Sequence, residues 1–132
     1  MILSKDMFVG ILLNSVPQVV IGNRPDGVPQ VEQFWLIASK NREAMYLNFA
    51  DEHGLKFTTC KINGVNYIRI QDRTTLRVLL KMVPQWIIDA DQRLVSFCKV
   101  MKIISSKKHL TEDGLNEIKL LKTKMMTKVK NK

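Results

Sequence analysis

Cysteine is scarce in this sequence: Cys60 and Cys98 are the only two in 132 residues, and no CxxC spacing joins them. A disulfide framework or a four-thiolate metal site is therefore not expected, and both read as free thiols. Histidine is equally sparse, with His53 and His109 far apart, so no metal site is read from them. No apolar run approaches the roughly 20 residues that a membrane span needs. The opening Met1-Ile2-Leu3-Ser4-Lys5-Asp6 lacks the apolar core and cleavage site of a signal peptide, so secretion is not expected. Acidic residues are outnumbered, twelve against twenty-one Lys and Arg.

What the sequence does hold is an ordinary globular composition, 45% hydrophobic and 25% charged, at a length that suits one domain. The net charge of +9 is unevenly spread. Residues 99–132 carry ten lysines against Glu112, Asp113 and Glu117, while the first 98 residues carry eleven basic against nine acidic groups. A basic segment of this kind suits phosphate contacts. The alternative is a solvated, lysine-rich helix face from AT-rich coding, since lysine outnumbers arginine fifteen to six.

Patterning predicts the elements. Residues 5–15 read as a short apolar helix stopped by Pro17. Val19–Ile21 and Val31–Ala38 read as strands around the turn-rich Gly22-Asn23-Arg24-Pro25-Asp26-Gly27. Ser39 or Asn41 is placed to cap a helix running to about His53, with Gly54 after its end. Leu55–Ile62 and Val65–Ile70 flank Asn63-Gly64, a strong hairpin signal. Asp72 is expected to cap a helix from Thr74 to about Met82, ended by Pro84. A loop then leads to a helix over Arg93–Ile104 and, capped by Thr111, a last one striped by Leu115, Ile118, Leu121 and Met125. The reading is a single domain over residues 1–126 with a basic tail at 127–132.

Two stretches carry a resemblance. Lys107-Lys108-His109-Leu110-Thr111-Glu112-Asp113-Gly114-Leu115-Asn116-Glu117-Ile118, followed by Leu121-Lys122 and Met125-Met126, is similar to the ending of organellar LAGLIDADG homing endonucleases. Phe8-Val9-Gly10-Ile11-Leu12 resembles the start of that family's signature helix. The resemblance implies an α+β fold of the αββαββα type, with a four-stranded antiparallel sheet, helices on one face and two C-terminal helices. It also implies an acidic metal ligand at the end of the first helix, since hard divalent cations take oxygen ligands. Matching Gly10 to the motif glycine puts Ser15 there, and a second, polar active-site position falls on Ser39. A basic active-site position falls near Ala90 to Gln92. Ile87-Ile88-Asp89-Ala90-Asp91-Gln92 mimics a second signature, but only 41 residues follow Asp91, too few for another such domain.

From this the sequence predicts a catalytically inactive relative with no cofactor that binds nucleic acid. The implied partner is a structured RNA, ribosomal or intron-derived, in an assembly such as the mitochondrial ribosome, which places the chain in a mitochondrion or plastid. Candidate phosphate contacts are Lys107, Lys108, Lys119, Lys122, Lys128 and Lys130, with Arg69, Arg73 and Arg77 as a second patch. The strand register read from alternation puts Val19, Ile21, Phe34, Leu36, Phe57, Thr59, Lys61, Ile68 and Ile70 on the open sheet face and Val20, Val31, Trp35, Ile37 and Thr58 beneath the helices. Phe34, Leu36, Phe57, Ile68 and Ile70 then form an apolar surface for a protein partner. A one-residue slip exchanges the faces and brings Arg69 outward. Two alternatives are an active homodimeric DNA endonuclease or maturase, with Asp6 or Asp26 as replacement metal ligand, and a protein-interaction module without nucleic-acid contact.

Overall fold

In the computed structural model, which describes residues 2–127, helices and strands alternate as expected. The helices are α1 (Lys5–Leu13), α2 (Glu43–Glu52), α3 (Arg73–Met82), α4 (Gln85–Ala90), α5 (Gln92–Ser105) and α6 (Glu112–Thr127). The strands are β1 (Val16–Asn23), β2 (Pro29–Ala38), β3 (Thr58–Ile62) and β4 (Val65–Ile70), in one antiparallel sheet of order β1-β2-β4-β3. The architecture is α+β, as the sequence implied. The basic tail expected from residue 127 lies, beyond that residue, outside the described residues.

By contacts the chain divides into two compact units. Residues 1–18 and 34–83 form the first, and residues 19–33 and 84–132 the second.

The first unit is built on aromatic packing. Ser4 opens α1, its hydroxyl accepting from the Met7 amide at 3.2 Å. Phe8 of α1 stacks on Phe49 at 4.5 Å and on Phe57 at 5.7 Å, and meets Tyr46 edge-on at 6.5 Å. Such pairs add to the area they bury because edge and face carry opposite partial charge. Trp35 of β2 is wholly buried, and its indole N–H donates to the Leu12 carbonyl at 3.2 Å, satisfying the one polar atom that burial would otherwise strand. Asp72 caps α3, accepting from the amide and hydroxyl of Thr75 at 3.0 and 2.9 Å. Those bonds hold its carboxyl below the usual range.

The hairpin of β3 and β4 turns at Asn63 and Gly64, both with positive φ, and pairs Ile62 with Val65. Cys60 therefore faces Tyr67, and Thr58 faces Arg69. The pairing of β2 with β4 sets Trp35 opposite Ile70 and Ile37 opposite Ile68. Since Trp35 is bonded to α1, Ile68 and Ile70 lie beneath the helices with it, both fully buried. This corrects the predicted surface: the hairpin keeps its internal register, and its two faces are exchanged. Thr59 and Lys61 share Ile68's side of the pairing but stay exposed, Thr58 shares a side with Arg69, and Phe57 packs on Phe8. β1 is inverted in the same way, with Val19 buried and Val20 exposed.

In the second unit, α5 and α6 bury Leu94, Phe97, Val100, Ile104, Ile118 and Leu121. Gln33 donates to the Phe97 carbonyl at 2.9 Å. The segment expected as a loop before α5 contains α4, and Asp91 caps α5 by accepting from the Arg93 amide at 2.9 Å. Between α5 and α6 the chain makes a 3-10 turn over Lys108–Leu110, entered through Lys107 at φ 62°. Gly114 allows this turn. A Cβ there would sit inside the Lys108 carbonyl, and the Gly114 amide donates to the Thr111 hydroxyl at 3.0 Å.

Candidate functional site

The end of α1 is where the sequence places a lost metal ligand. Ser15 sits there, its hydroxyl donating to the Ile11 carbonyl at 2.7 Å. Asn14 donates its side-chain amide to the Gly10 carbonyl at 2.9 Å, and its backbone N–H reaches Gly10 and Ile11. Together these cover the carbonyls that a helix end leaves unpaired. Ser39 is fully buried and does not cap α2. Its hydroxyl lies 2.7 Å from the Glu43 carboxylate and 3.1 Å from the Asn66 carbonyl, tying β2, β4 and α2 together. That hydroxyl bond, with Glu43's own amide, holds the Glu43 carboxyl below its ordinary range.

Beside these residues the first unit contains a cleft of about 600 Å³. The end of α1 (Gly10, Ile11, Asn14, Ser15) forms one wall, Leu36 to Ser39 another, and Lys40, Arg42, Tyr46 and Tyr67 complete it. Sequence reasoning misses Lys40, Arg42 and Tyr46. The available signal is Ser39-Lys40-Asn41-Arg42, where Lys40 and Asn41 are consecutively left-handed (φ 50° and 62°), a local turn that throws two cations together. No carboxylate lines the cleft, so as it stands it does not fit the divalent cation that the fold implies at this place. Among the described residues no group of three or more His, Cys, Asp or Glu is placed to hold a metal.

The outward sheet face of the first unit carries Arg69, whose guanidinium lies 3.8 Å above the Phe34 ring and bonds Gln71 at 2.5 Å. Phe34 is buried under it, so the two form a covered pair instead of an open apolar patch. Leu36 stays half-buried opposite Arg69. Of the five residues assigned to a protein partner, Ile68, Ile70 and Phe57 are on the other side. Arg73 and Arg77 lie one turn apart on α3, both exposed, while Arg69 is on the sheet, so these three do not arise from one element.

In the second unit Lys107 and Lys108 are exposed at the α5–α6 junction. Lys119 and Lys122 follow on one flank of α6, exposed and half-buried. Lys128 and Lys130 lie outside the described residues. Near Ala90 to Gln92, where the resemblance places a basic residue and this sequence departs from it, the neighbouring Arg93 is held to Asp91 at 3.4 Å.

No family model matches the chain, and no curated protein is similar to it. Solved structures are. The homing endonuclease I-TnaI matches with a TM-score of 0.75 at 18% identity, over 96% of this chain and 90% of that one. The archaeal intron-encoded homing endonuclease I-Vdi141I, in complex with DNA, matches with 0.76 at 15% identity, over 93% and 82%. The meganuclease I-SmaMI bound to DNA matches with 0.74 at 19% identity over 92% of this chain, which spans 44% of that protein. These matches correct the expectation that the chain is not an enzyme. The solved structures that share its architecture are homing endonucleases, and a serine at the end of α1 is no ground for setting it apart from them. At such identities the likeness establishes the architecture, and the chain has the LAGLIDADG homing-endonuclease fold.

Proposed function

We propose that this chain binds nucleic acid by neutralising backbone phosphates, and that its partner is a structured RNA in an organellar ribonucleoprotein such as the mitochondrial ribosome. The observation that carries the reading is the grouping of Lys107 and Lys108, both exposed where α5 turns into α6, with Lys119 and Lys122 on the flank that follows. Lysine is a hydrated point charge on a flexible stem. It suits phosphate attraction without the two-pronged base recognition that arginine provides. Arg69, the arginine best placed on the sheet, is occupied by Phe34 and Gln71. Crosslinking the chain in an organelle extract and sequencing the attached nucleic acid tests the partner. Recovery of one structured RNA agrees with the reading, and recovery of protein crosslinks alone sinks it.

A second reading is duplex DNA as target, with cleavage. It is favoured by the fold likeness to homing endonucleases whose structures were determined on DNA. Asp6 is exposed in the first turn of α1, and Asp26 is paired with Arg24 at 2.9 Å. Incubating the chain with a DNA library and Mg²⁺ separates the readings, because strand scission would favour this one.

A further inference from the structure

The tip of the β3–β4 hairpin carries Asn63 and Gly64, both exposed. Both have positive φ, 51° and 81°, as a two-residue turn of this kind requires. The turn leaves two reactive groups side by side. The Gly64 N–H donates to no protein group among the described residues, and the Asn63 side-chain amide has no partner among them either. A Cβ built on Gly64 would meet nothing within 4 Å, so the space beside it is open.

The other described asparagines lack this combination. Asn41 is also exposed and left-handed, at φ 62°, but the amide that follows it, of Arg42, donates to the Ser39 carbonyl at 2.9 Å. After Asn14 the Ser15 amide donates to the Leu12 carbonyl at 3.0 Å, and the Asn14 side chain is itself held by the Gly10 carbonyl. After Asn23 the Arg24 amide reaches the Val28 carbonyl at 2.8 Å. Asn48, Asn66 and Asn116 lie inside α2, β4 and α6. A backbone N–H committed to a hydrogen bond is withheld from other chemistry while that bond lasts.

We propose that Asn63 is a site of spontaneous deamidation that loosens the hairpin at its outer strand. The Gly64 nitrogen gives up its proton and attacks the side-chain carbon Cγ of Asn63. The N–Cγ bond forms, the Cγ–Nδ2 bond breaks, and ammonia leaves with the proton, closing a five-membered imide. Water then opens the ring. Cleavage of the N–Cγ bond gives aspartate. Cleavage between that nitrogen and the Asn63 backbone carbonyl carbon gives isoaspartate, in which the chain runs through Cβ and Cγ. The sum is amide plus water giving acid plus ammonia, with no change of oxidation state.

Isoaspartate lengthens the chain by one atom between the two turn residues. A two-residue turn has no slack for it, so the pairing of Ile62 with Val65 is lost. The damage falls on β3. β4 is held on its other side by β2 and buries Ile68 and Ile70. β3 is an edge strand paired with β4, and none of its five residues is buried. The site is independent of the lysines at the α5–α6 junction, so this proposal and the nucleic-acid reading stand or fall separately.

The test ages the full-length chain at physiological temperature and mildly alkaline pH in heavy-oxygen water, followed by mass-spectrometric peptide mapping and amide exchange. Asn63 should convert severalfold faster than Asn41 or Asn14, taking up the heavy oxygen as it does. Enzymatic methylation specific for isoaspartate should label residue 63. Exchange protection should be lost over Thr58–Ile62 and kept over residues 35–38 of β2. Asn63→Gly keeps a turn that accepts positive φ and has no amide to lose, so aged in parallel it should keep its protection in β3. Conversion of Asn63 no faster than that of Asn41 overturns the site. Conversion with β3 still protected, or equal loss of protection in aged Asn63→Gly, overturns the loosening.

Discussion

Two exposed cations of the first unit, Lys40 and Arg42, line a cleft, whereas Lys107 and Lys108 of the second stand on the turn between two helices. Around the cleft, Lys40 and Arg42 stand with Tyr46 and Tyr67. At the α5–α6 junction, Lys107 and Lys108 are exposed on a 3-10 turn. The same residue class is thus displayed in two ways, and the surrounding backbone decides which. Two consecutive left-handed residues gather one set, and a glycine that lets a 3-10 turn abut a helix displays the other.

The two tryptophans sharpen this contrast most. Trp35 is fully buried in the first unit and Trp86 is 73% exposed in the second. Trp35→Ala should cost about 3–5 kcal/mol in chemical denaturation. Trp86→Ala should stay within about 0.5 kcal/mol. Similar losses from both would mean that Trp86 is covered in solution. Next in size is Gly114→Ala, which forces a methyl into the Lys108 carbonyl and should destabilise by about 1–3 kcal/mol. Its crystal structure or amide exchange should show the Lys107–Thr111 turn displaced, and full protection there would contradict the role given to this glycine.

The lysines come third. Replacing Lys107 and Lys108 by Gln should lower nucleic-acid affinity and reduce the slope of log affinity against log salt by about 1.4 to 1.8, the release expected for two phosphates. The smallest effect concerns pH. The Asp72 carboxyl is held low by Thr75, so its contribution is present above the ordinary carboxylate range and fades as pH falls through the lowered value. Asp72→Asn keeps a cap but removes the titration, so melting followed between about pH 4 and pH 2 should show a flatter acid limb than wild type.

Local signals are legible in the sequence. Asn63-Gly64, the Asp72 cap, the Thr111 cap and the β4 boundaries follow from chemistry within a few residues, and the structure contains each of them. The faces of β1 and of the β3–β4 hairpin are not legible. Alternation gives which residues share a face but not which face meets the helices, and that is set by non-local pairing such as Trp35 with Ile70. Ile68 and Arg69 exchange roles for this reason. α4 is hidden because Pro84 and the acidic Asp89 and Asp91 resemble a loop, whereas Asp91 closes one helix and caps the next. Ser15 and Ser39 lie just past the ends of α1 and β2, where the element boundaries read from the sequence put them. Their hydroxyl partners, and the grouping of Lys40, Arg42 and Tyr46 around one cleft, depend on atoms distant in sequence.

The most direct test of the account is fluorescence anisotropy of the wild-type chain with a structured RNA and, in parallel, a DNA duplex, over a series of salt concentrations. Binding that falls linearly in log affinity against log salt, with RNA held at least as tightly as DNA, is the predicted outcome. Absence of binding to either, or an affinity that salt does not change, would contradict it.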